Sequence, residues 1–176
     1  MSAAAPTTQD YKRLTQQDVD LICAKHDRLW SARMGGARAV FAFCDISGLS
    51  LTGRNLCDAD FTGAVMVGCD LRKTKLDNAN CYGADMQGAD LTDASLRRAD
   101  LRGSSLRGAN LTGADMFEAD LREGTIAAAD RKEGYRVIEL TQREAYATGA
   151  NLSAPTWSAR ACRASWRPRP TSATRS

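Results

Sequence analysis

From Phe41 onward the chain carries a large apolar residue or a cysteine at every fifth position. The series runs Ile46, Leu51, Leu56, Phe61, Met66, Leu71, Leu76, Cys81, Met86, Leu91, Leu96, Leu101, Leu106, Leu111, Met116, Leu121 and Ile126 without a break. Two residues before each member stands a small side chain, and from Ala59 to Gly124 every such position is Ala, Cys, Thr, Ser or Gly. The position between is mostly Asp, Asn or Ser, as at Asp60, Asn80, Asp100 and Asn110. The unit is therefore A-(D/N)-L-x-x, with Gly frequent in last place.

A period of five suits neither regular element. On an α-helix successive members step by about 140° and scatter around the axis. Ten glycines between Phe41 and Ile126 would each cost about 1 kcal/mol in a helix interior. In a straight strand an odd period sends alternate members to opposite faces. To bury them all, the chain has to bend once per pentad. A-D-L predicts a short in-out-in strand, and the two x residues predict a turn where glycine is tolerated. The small inward residue belongs at the tightest part of the coil. The pattern predicts a wound solenoid.

The A-(D/N)-L-x-x pentads, over roughly residues 39–130, resemble those of pentapeptide-repeat proteins. The resemblance implies an all-β solenoid, a right-handed quadrilateral β-helix with four pentads per coil and an N-terminal helical cap. Eighteen pentads then make about 4.5 coils, a column ~21 Å tall at ~4.8 Å per stacked strand. Residues twenty apart stack, so the core ladder reads Phe61, Cys81, Leu101, Leu121 on one face and Leu71, Leu91, Leu111 on another. Leu56, Leu76, Leu96, Met116 and Met66, Met86, Leu106 fill the other two.

The ends break the pattern. Residues 1–14 are expected to be disordered, and 15–38 to form the helical cap. Within the stretch 15–34, Thr15 is a candidate N-cap with Asp18 three residues on. Val19, Ile22, Cys23, His26, Leu29, Trp30 and Met34 form its apolar stripe, and Gly35-Gly36 is the expected stop. Ile22, Leu29 and Trp30 are the expected cap contacts, with Trp30 inserted over the first coil. Leu49 and Arg54, too large for their inward slots, mark a looser first coil. Residues 131–152 read as a loop or flap followed by one resumed pentad centred on Leu152. Residues 153–176 hold five Arg and no acid and read as a disordered basic tail. With GC-rich codons and one G restored after the Ser153 codon, the same nucleotides read SGADLERARLSGVVAAAADLSDAV. That string resumes A-D-L pentads in step with Leu152, so the tail is read as a frameshift product.

Charge follows this division. The full chain of 176 residues is formally +3, with pI near 8.6. Residues 41–126, in contrast, carry nine basic and thirteen acidic groups. The basic pI thus belongs to the tail. No run of 18 apolar residues predicts a transmembrane helix. The N-terminus lacks the basic start and apolar stretch of a secretory signal. A cytoplasmic location with reduced thiols is the expectation.

Candidate chemistry is sparse. His26 is the single histidine, so Ser-His or Cys-His catalysis has one candidate, and its place on the apolar stripe predicts packing or capping instead. Cys44, Cys69 and Cys81 fall on inward slots. Cys57 should face outward as a surface thiol. No CxxC or Cys/His pair of zinc type occurs, and no glycine loop suits a phosphate. The chain is expected to be non-enzymatic, with no cofactor and no metal.

Surface recognition is the remaining task. The candidate interaction residues are Arg97, Arg98, Arg102, Arg107 and Arg122, with Asp60, Asp100 and Asp120; the aspartates are expected to bond to neighbouring coils. One branch of the resembled family, the quinolone-resistance proteins, mimics duplex DNA toward type II topoisomerases. Here the arginines interrupt the acidic rows, which weighs against mimicry. With Tyr82 and Phe117 as the outward rings, no platform for single-stranded nucleic acid is expected. The expected partner is a protein, with no nucleic acid and no membrane. Terminal coils offer a homodimer contact.

Overall fold

In a computed structural model of the protein, residues 11–122, 124–130, 134–140 and 156–157 are described. The elements are β1 (Lys12–Arg13), α1 (Gln16–Trp30), β2 (Cys44–Asp45), β3 (Asp120–Leu121), β4 (Gly124–Asp130), β5 (Gly134–Leu140) and β6 (Thr156–Trp157). Extended strands are few because the backbone winds. Single parallel bridges link positions twenty apart, Val40 to Asp60 to Asn80 to Asp100 to Asp120 on one side and Ser50 to Asp70 to Asp90 to Asn110 on another. Twenty residues are four pentads, so each turn of the solenoid has four sides. All fourteen ladder residues from Leu56 to Leu121 are buried, and the small slots from Ala59 to Ala119 are buried with them. Phe41 and Phe61 stack at 4.9 Å, 13° apart. Polar residues in small slots find backbone acceptors: Thr74 Oγ1 donates to Leu51 O (2.9 Å) and Ser104 Oγ to Leu101 O (2.8 Å).

Why the middle position should be Asp or Asn emerges from a count of N–H groups in one pentad. Ala59 N–H donates to Leu56 O (3.1 Å) and closes the turn; Asp60 N–H reaches Ala39 O (3.0 Å), Phe61 N–H Asn80 O (2.7 Å) and Gly63 N–H Tyr82 O (2.8 Å) in adjacent coils. Thr62 N–H remains, and the Asp60 Oδ1 accepts it at 3.0 Å. The same carboxylate or amide cap on the residue two further on recurs at Asp70, Asn80, Asp90, Asp100, Asn110, Asp115 and Asp120. This is an Asx-turn. It corrects the expectation that these side chains serve mainly to bond neighbouring coils. Where Ser95 is too short, Asp77 of the previous coil supplies the acceptor for Arg97 N–H at 3.1 Å.

The last pentad position takes φ between +55° and +71° at every corner from Phe43 to Glu118, the left-handed region that the third residue of a type II turn requires. Glycine fills nine of these sixteen corners. One corner column has none: Asp58, Asn78, Arg98 and Glu118 all sit at φ +55° to +60°.

The leader departs from expectation in detail. Thr15 and Asp18 do form a capping box. The helix, however, ends at Trp30, with Ser31 as C-cap and Ala32 at φ +51°, not at Gly35. Arg33 N–H returns to Arg28 O (2.9 Å) and turns the chain back. Gly36 then passes so close to the helix that a Cβ there would lie 2.4 Å from Leu29 N. The inward residues are therefore Leu14, Val19, Cys23 and His26. Ile22 is only half-buried against the core, while Leu29, Trp30 and Met34 are exposed. Trp30 is not inserted over the first coil.

The repeat ends earlier than residue 130. Gly124–Asp130 pairs antiparallel with Gly134–Leu140, Ile126 facing Ile138, so the last position of the five-residue series, Ile126, belongs to a hairpin. Two seven-residue stretches without an interior turn residue satisfy each other as paired strands. In place of a disordered start to the tail, Thr156–Trp157 pairs parallel with Asp120–Leu121. That register puts Trp157 opposite Leu121, five residues after Leu152 and in its phase. The other positions of 141–176, Leu152 and the frameshift reading included, and residues 1–10 lie outside the described residues.

Candidate interaction surface

Seven of the eight surface residues singled out from sequence flank one side of the solenoid. The row Asp60, Asn80, Asp100, Asp120 runs up its middle. Arg97 and Arg98 stand at the corner before this side, and Arg102 and Arg122 at the corner after it. Arg107 lies one corner further on and joins neither group.

The arginines are held, not loose. Arg102 donates from Nε and Nη2 to Asp100 (2.9 and 2.6 Å), with its Nε 3.7 Å from Asp120 Oδ2. Arg122 closes the same way on Asp120 (2.6 Å). Asp120 thus lies between two guanidinium groups stacked a coil apart. Arg102 also lies over the Tyr82 ring at 5.3 Å, and hydrogen bonding to Asp100 pushes its pKa further up. At the other corner Arg97 pairs with Asp115 (2.8 Å) and covers Phe117 at 4.9 Å; Arg98 pairs with Glu118 (2.9 Å). At the lower end Arg38 reaches Asp60 (3.3 Å). On the side carrying Asp70 and Asp90, Arg72 holds the Asp70 carboxyl well below the usual carboxylate range.

Other candidates fall into structural roles. His26 is fully buried. Its Nδ1 accepts from Ala39 N–H (3.1 Å), the Cys57 backbone hydrogen-bonds the ring, and burial lowers its pKa. The Trp30 indole nitrogen stands 3.2 Å from Nε2 of the same ring. Cys57 is half-buried, and burial, with Asp77 and Asp58 nearby, raises its thiol pKa. That is the opposite of an activated thiolate. Burial pushes Cys69 to about 11 and Cys81 to about 12. Cys44, by contrast, is only half-buried. Among the described residues, no group of three or more His, Cys, Asp or Glu is placed to hold a metal, and no helix is long and apolar enough to cross a membrane.

Sequence reasoning missed three contacts that tie the leader to the first coil. The Gln16 carboxamide grips the Ser50 backbone, accepting from its N–H and donating to its carbonyl (2.9 Å each). Asp20 pairs with Arg54 at 2.8 Å, which explains an arginine in a slot meant for a small residue. Leu14 N–H extends the β1–β2 pairing to Asp45 O (2.9 Å). It also missed Phe43 as an outward ring, packed on Gly63, where a Cβ would lie 2.7 Å from Phe43 Cε1.

The family model of pentapeptide repeats matches residues 55–93 and 94–125 as eight copies. Over those residues the chain carries pentapeptide repeats. Its match starts at Asn55, whereas the bridge pattern already begins at Val40; the first coil keeps the geometry with less regular residues. Among solved structures, alr5209, a pentapeptide repeat protein from Nostoc Pcc 7120, is 27% identical with a TM-score of 0.52, over 65% of this chain and 84% of that one. Rfr23 from the cyanobacterium Cyanothece 51142 is 22% identical with a TM-score of 0.45, over 73% of this chain and 65% of that one. A trypsin-treated form of QnrB1, a plasmid-mediated fluoroquinolone resistance protein, is 14% identical with a TM-score of 0.44, over 72% of this chain and 65% of that one. No curated protein matches the sequence. The pentapeptide-repeat solenoid of alr5209 supports the same fold for the coils described above.

Proposed function

We infer that the chain is a non-enzymatic interaction module of the cytoplasm, a right-handed β-helix capped by α1, which binds a protein partner through the side bearing Asp60, Asp100 and Asp120 and its two arginine corners. The observation that carries this reading is the preorganisation of that surface. Arg97 and Arg102 are each fixed by a carboxylate on one side and an aromatic ring on the other, so a partner that engages them loses little side-chain entropy. Arg and aromatic residues are also the types enriched at interface centres. Site-specific photocrosslinking from position 82 in living cells should trap a protein, and Arg97→Glu with Arg102→Glu should remove that adduct. Retention of the adduct in the double variant would defeat the assignment of the face.

Mimicry of duplex DNA toward a type II topoisomerase is the second reading, favoured by the row Asp60, Asn80, Asp100, Asp120, acidic at three of its four positions. Arg102 and Arg122 neutralise the upper half of that row, and phosphate mimicry needs the charge unpaired. A gyrase supercoiling assay separates the two: a mimic changes the rate of supercoiling, and a module for another protein leaves it unchanged.

A further inference from the structure

The coils and the end of α1 differ in how they treat charge and apolar surface. Among the described residues, six of the seven arginines of the coils are ion-paired and Arg107 is not. At the end of α1, Lys25, Arg28 and Arg33 are exposed and make no ion pair among the described residues. Seven large hydrophobic side chains are exposed among the described residues, and six of them fall between Leu21 and Phe43. Trp30 is 52% and Met34 98% exposed.

These residues lie together. Arg33 N–H bonds Arg28 O (2.9 Å), Ala37 N–H bonds Lys25 O (3.1 Å), and Gly36 presses on Leu29. His26 joins the helix to Ala39, next to the exposed Val40. The loop is thus folded back along the helix, and Leu29, Trp30 and Met34 are set among three cations that have no ion pair among the described residues. The helix's inward residues, Val19, Cys23 and His26, are spent on the solenoid, Trp30 meets them through its indole nitrogen at His26, and Leu29 and Met34 stay exposed.

We propose that this helix end is a docking site for an acidic segment of a partner protein that carries apolar anchors. Trp, Met and Arg are the residue types enriched at protein interfaces, and three clustered exposed cations are complementary to carboxylates. A lipid surface fits less well, because the apolar stripe of α1 is already buried. Nucleic acid fits less well too, since among the described residues Trp30 is the single exposed ring at the helix end itself. The proposal rests on the reading of the chain as an interaction module but moves a contact away from the coil face.

The test uses the full chain and a fluorescein-labelled peptide that alternates Glu with Leu and Phe anchors. Its controls are the same peptide with Lys for Glu and phosphatidylglycerol vesicles. Anisotropy should saturate with the acidic peptide, weaken at high salt and show nothing with the lysine version. Arg28→Glu with Arg33→Glu, and separately Trp30→Ala, should each weaken binding by about tenfold or more. Arg97→Glu with Arg102→Glu should leave it intact. Equal melting temperatures would show that the variants fold. Failure of the acidic peptide to saturate overturns the proposal, as does vesicle binding without peptide binding. Loss of peptide binding in the coil-face variant alone also overturns it, while leaving the interaction-module reading in place.

Discussion

The coils from Asp60 to Arg122 and the leader from Lys12 to His26 meet the same problem in different ways. In both, backbone groups are left over, where the chain turns a corner or where a sheet ends. The coils use one device many times, an Asp or Asn side chain that caps the N–H two residues on. The leader uses several devices once each: a short parallel strand on Cys44–Asp45, the Gln16 amide on Ser50, and the His26 ring on Ala39. A repeated device leaves a period in the sequence. A device used once leaves none, and its failure is not shared out among equivalent neighbours.

The sharpest way to break this comparison is to cut the core on each side of it. Leu91 is fully buried between Leu71 and Leu111, and Leu91→Ala should cost about 2–5 kcal/mol. Because each coil leans on its neighbours, the loss should be felt along the whole repeat stack. Val19→Ala in the leader removes less and should loosen α1 before the coils, seen by hydrogen exchange of coil amides under mild denaturant. If Val19→Ala melted the coils as strongly as Leu91→Ala, leader and coils would be a single cooperative unit and the contrast would fail.

His26 is the next lever. His26→Phe keeps the ring volume but leaves the buried Ala39 N–H without its acceptor, at a cost of about 1–3 kcal/mol. Acid should act on the same contact in the wild-type chain. Burial holds the folded-state pKa of His26 below its ordinary 6.5, against the opposing pull of the Cys57 backbone, Asp27 and Asp58 and with a smaller push from Arg38. The unfolded chain then binds the extra proton more readily. The stabilisation is complete above about pH 6.5 and falls away as pH drops through the folded value. Denaturation midpoints measured across that range should decline toward acid in the wild type and decline less in His26→Phe. Parallel curves for the two proteins would remove His26 as the titrating group.

The leucine ladder and the four-sided coil were legible because seventeen positions repeat one spacing. The identity of the leader's contact residues was not. Ile22, Leu29 and Trp30 satisfy a helical apolar stripe as well as Val19, Cys23 and His26 do, and only the true helix end decides between them. Gly35-Gly36 looked like the stop, but Ala32 in a left-handed conformation ends the helix sooner, and Gly36 is there for close approach to Leu29. The candidate face was legible as a set of residues, arginines interrupting acidic rows; which carboxylate each arginine meets was not, since Arg102 meets Asp100 within its own pentad and Asp120 from the next coil.

A finer cut separates the cap from the charge of Asp100. Asp100→Asn keeps an oxygen acceptor for Arg102 N–H, as Asn80 and Asn110 show at equivalent positions, and loses only exposed ion pairing. Asp100→Ala loses both. The alanine variant should be less stable by about 1 kcal/mol and the asparagine variant by a few tenths, about the worth of a surface ion pair. If both variants lost the same stability in chemical denaturation, the aspartate would act through its charge and the Asx-turn account of the pentad would be wrong.

The last expected effect has the opposite sign. Arg98 holds φ +55° in the one corner column without glycine, a conformation that costs a residue with a side chain about 1–2 kcal/mol. Arg98→Gly relieves that strain, returns part of the gain as extra freedom of the unfolded chain, about 0.4–1 kcal/mol, and gives up the exposed pair with Glu118. The balance is a gain of roughly 0.5 kcal/mol in the denaturation midpoint. The equivalent exchange at Gly103, Gly103→Arg, should cost stability by imposing the same strain where glycine now relieves it. A loss in both directions would mean that the Asp58–Glu118 corner is shaped by its side-chain contacts and not merely tolerant of them, and the four corners could no longer be treated as copies of one turn.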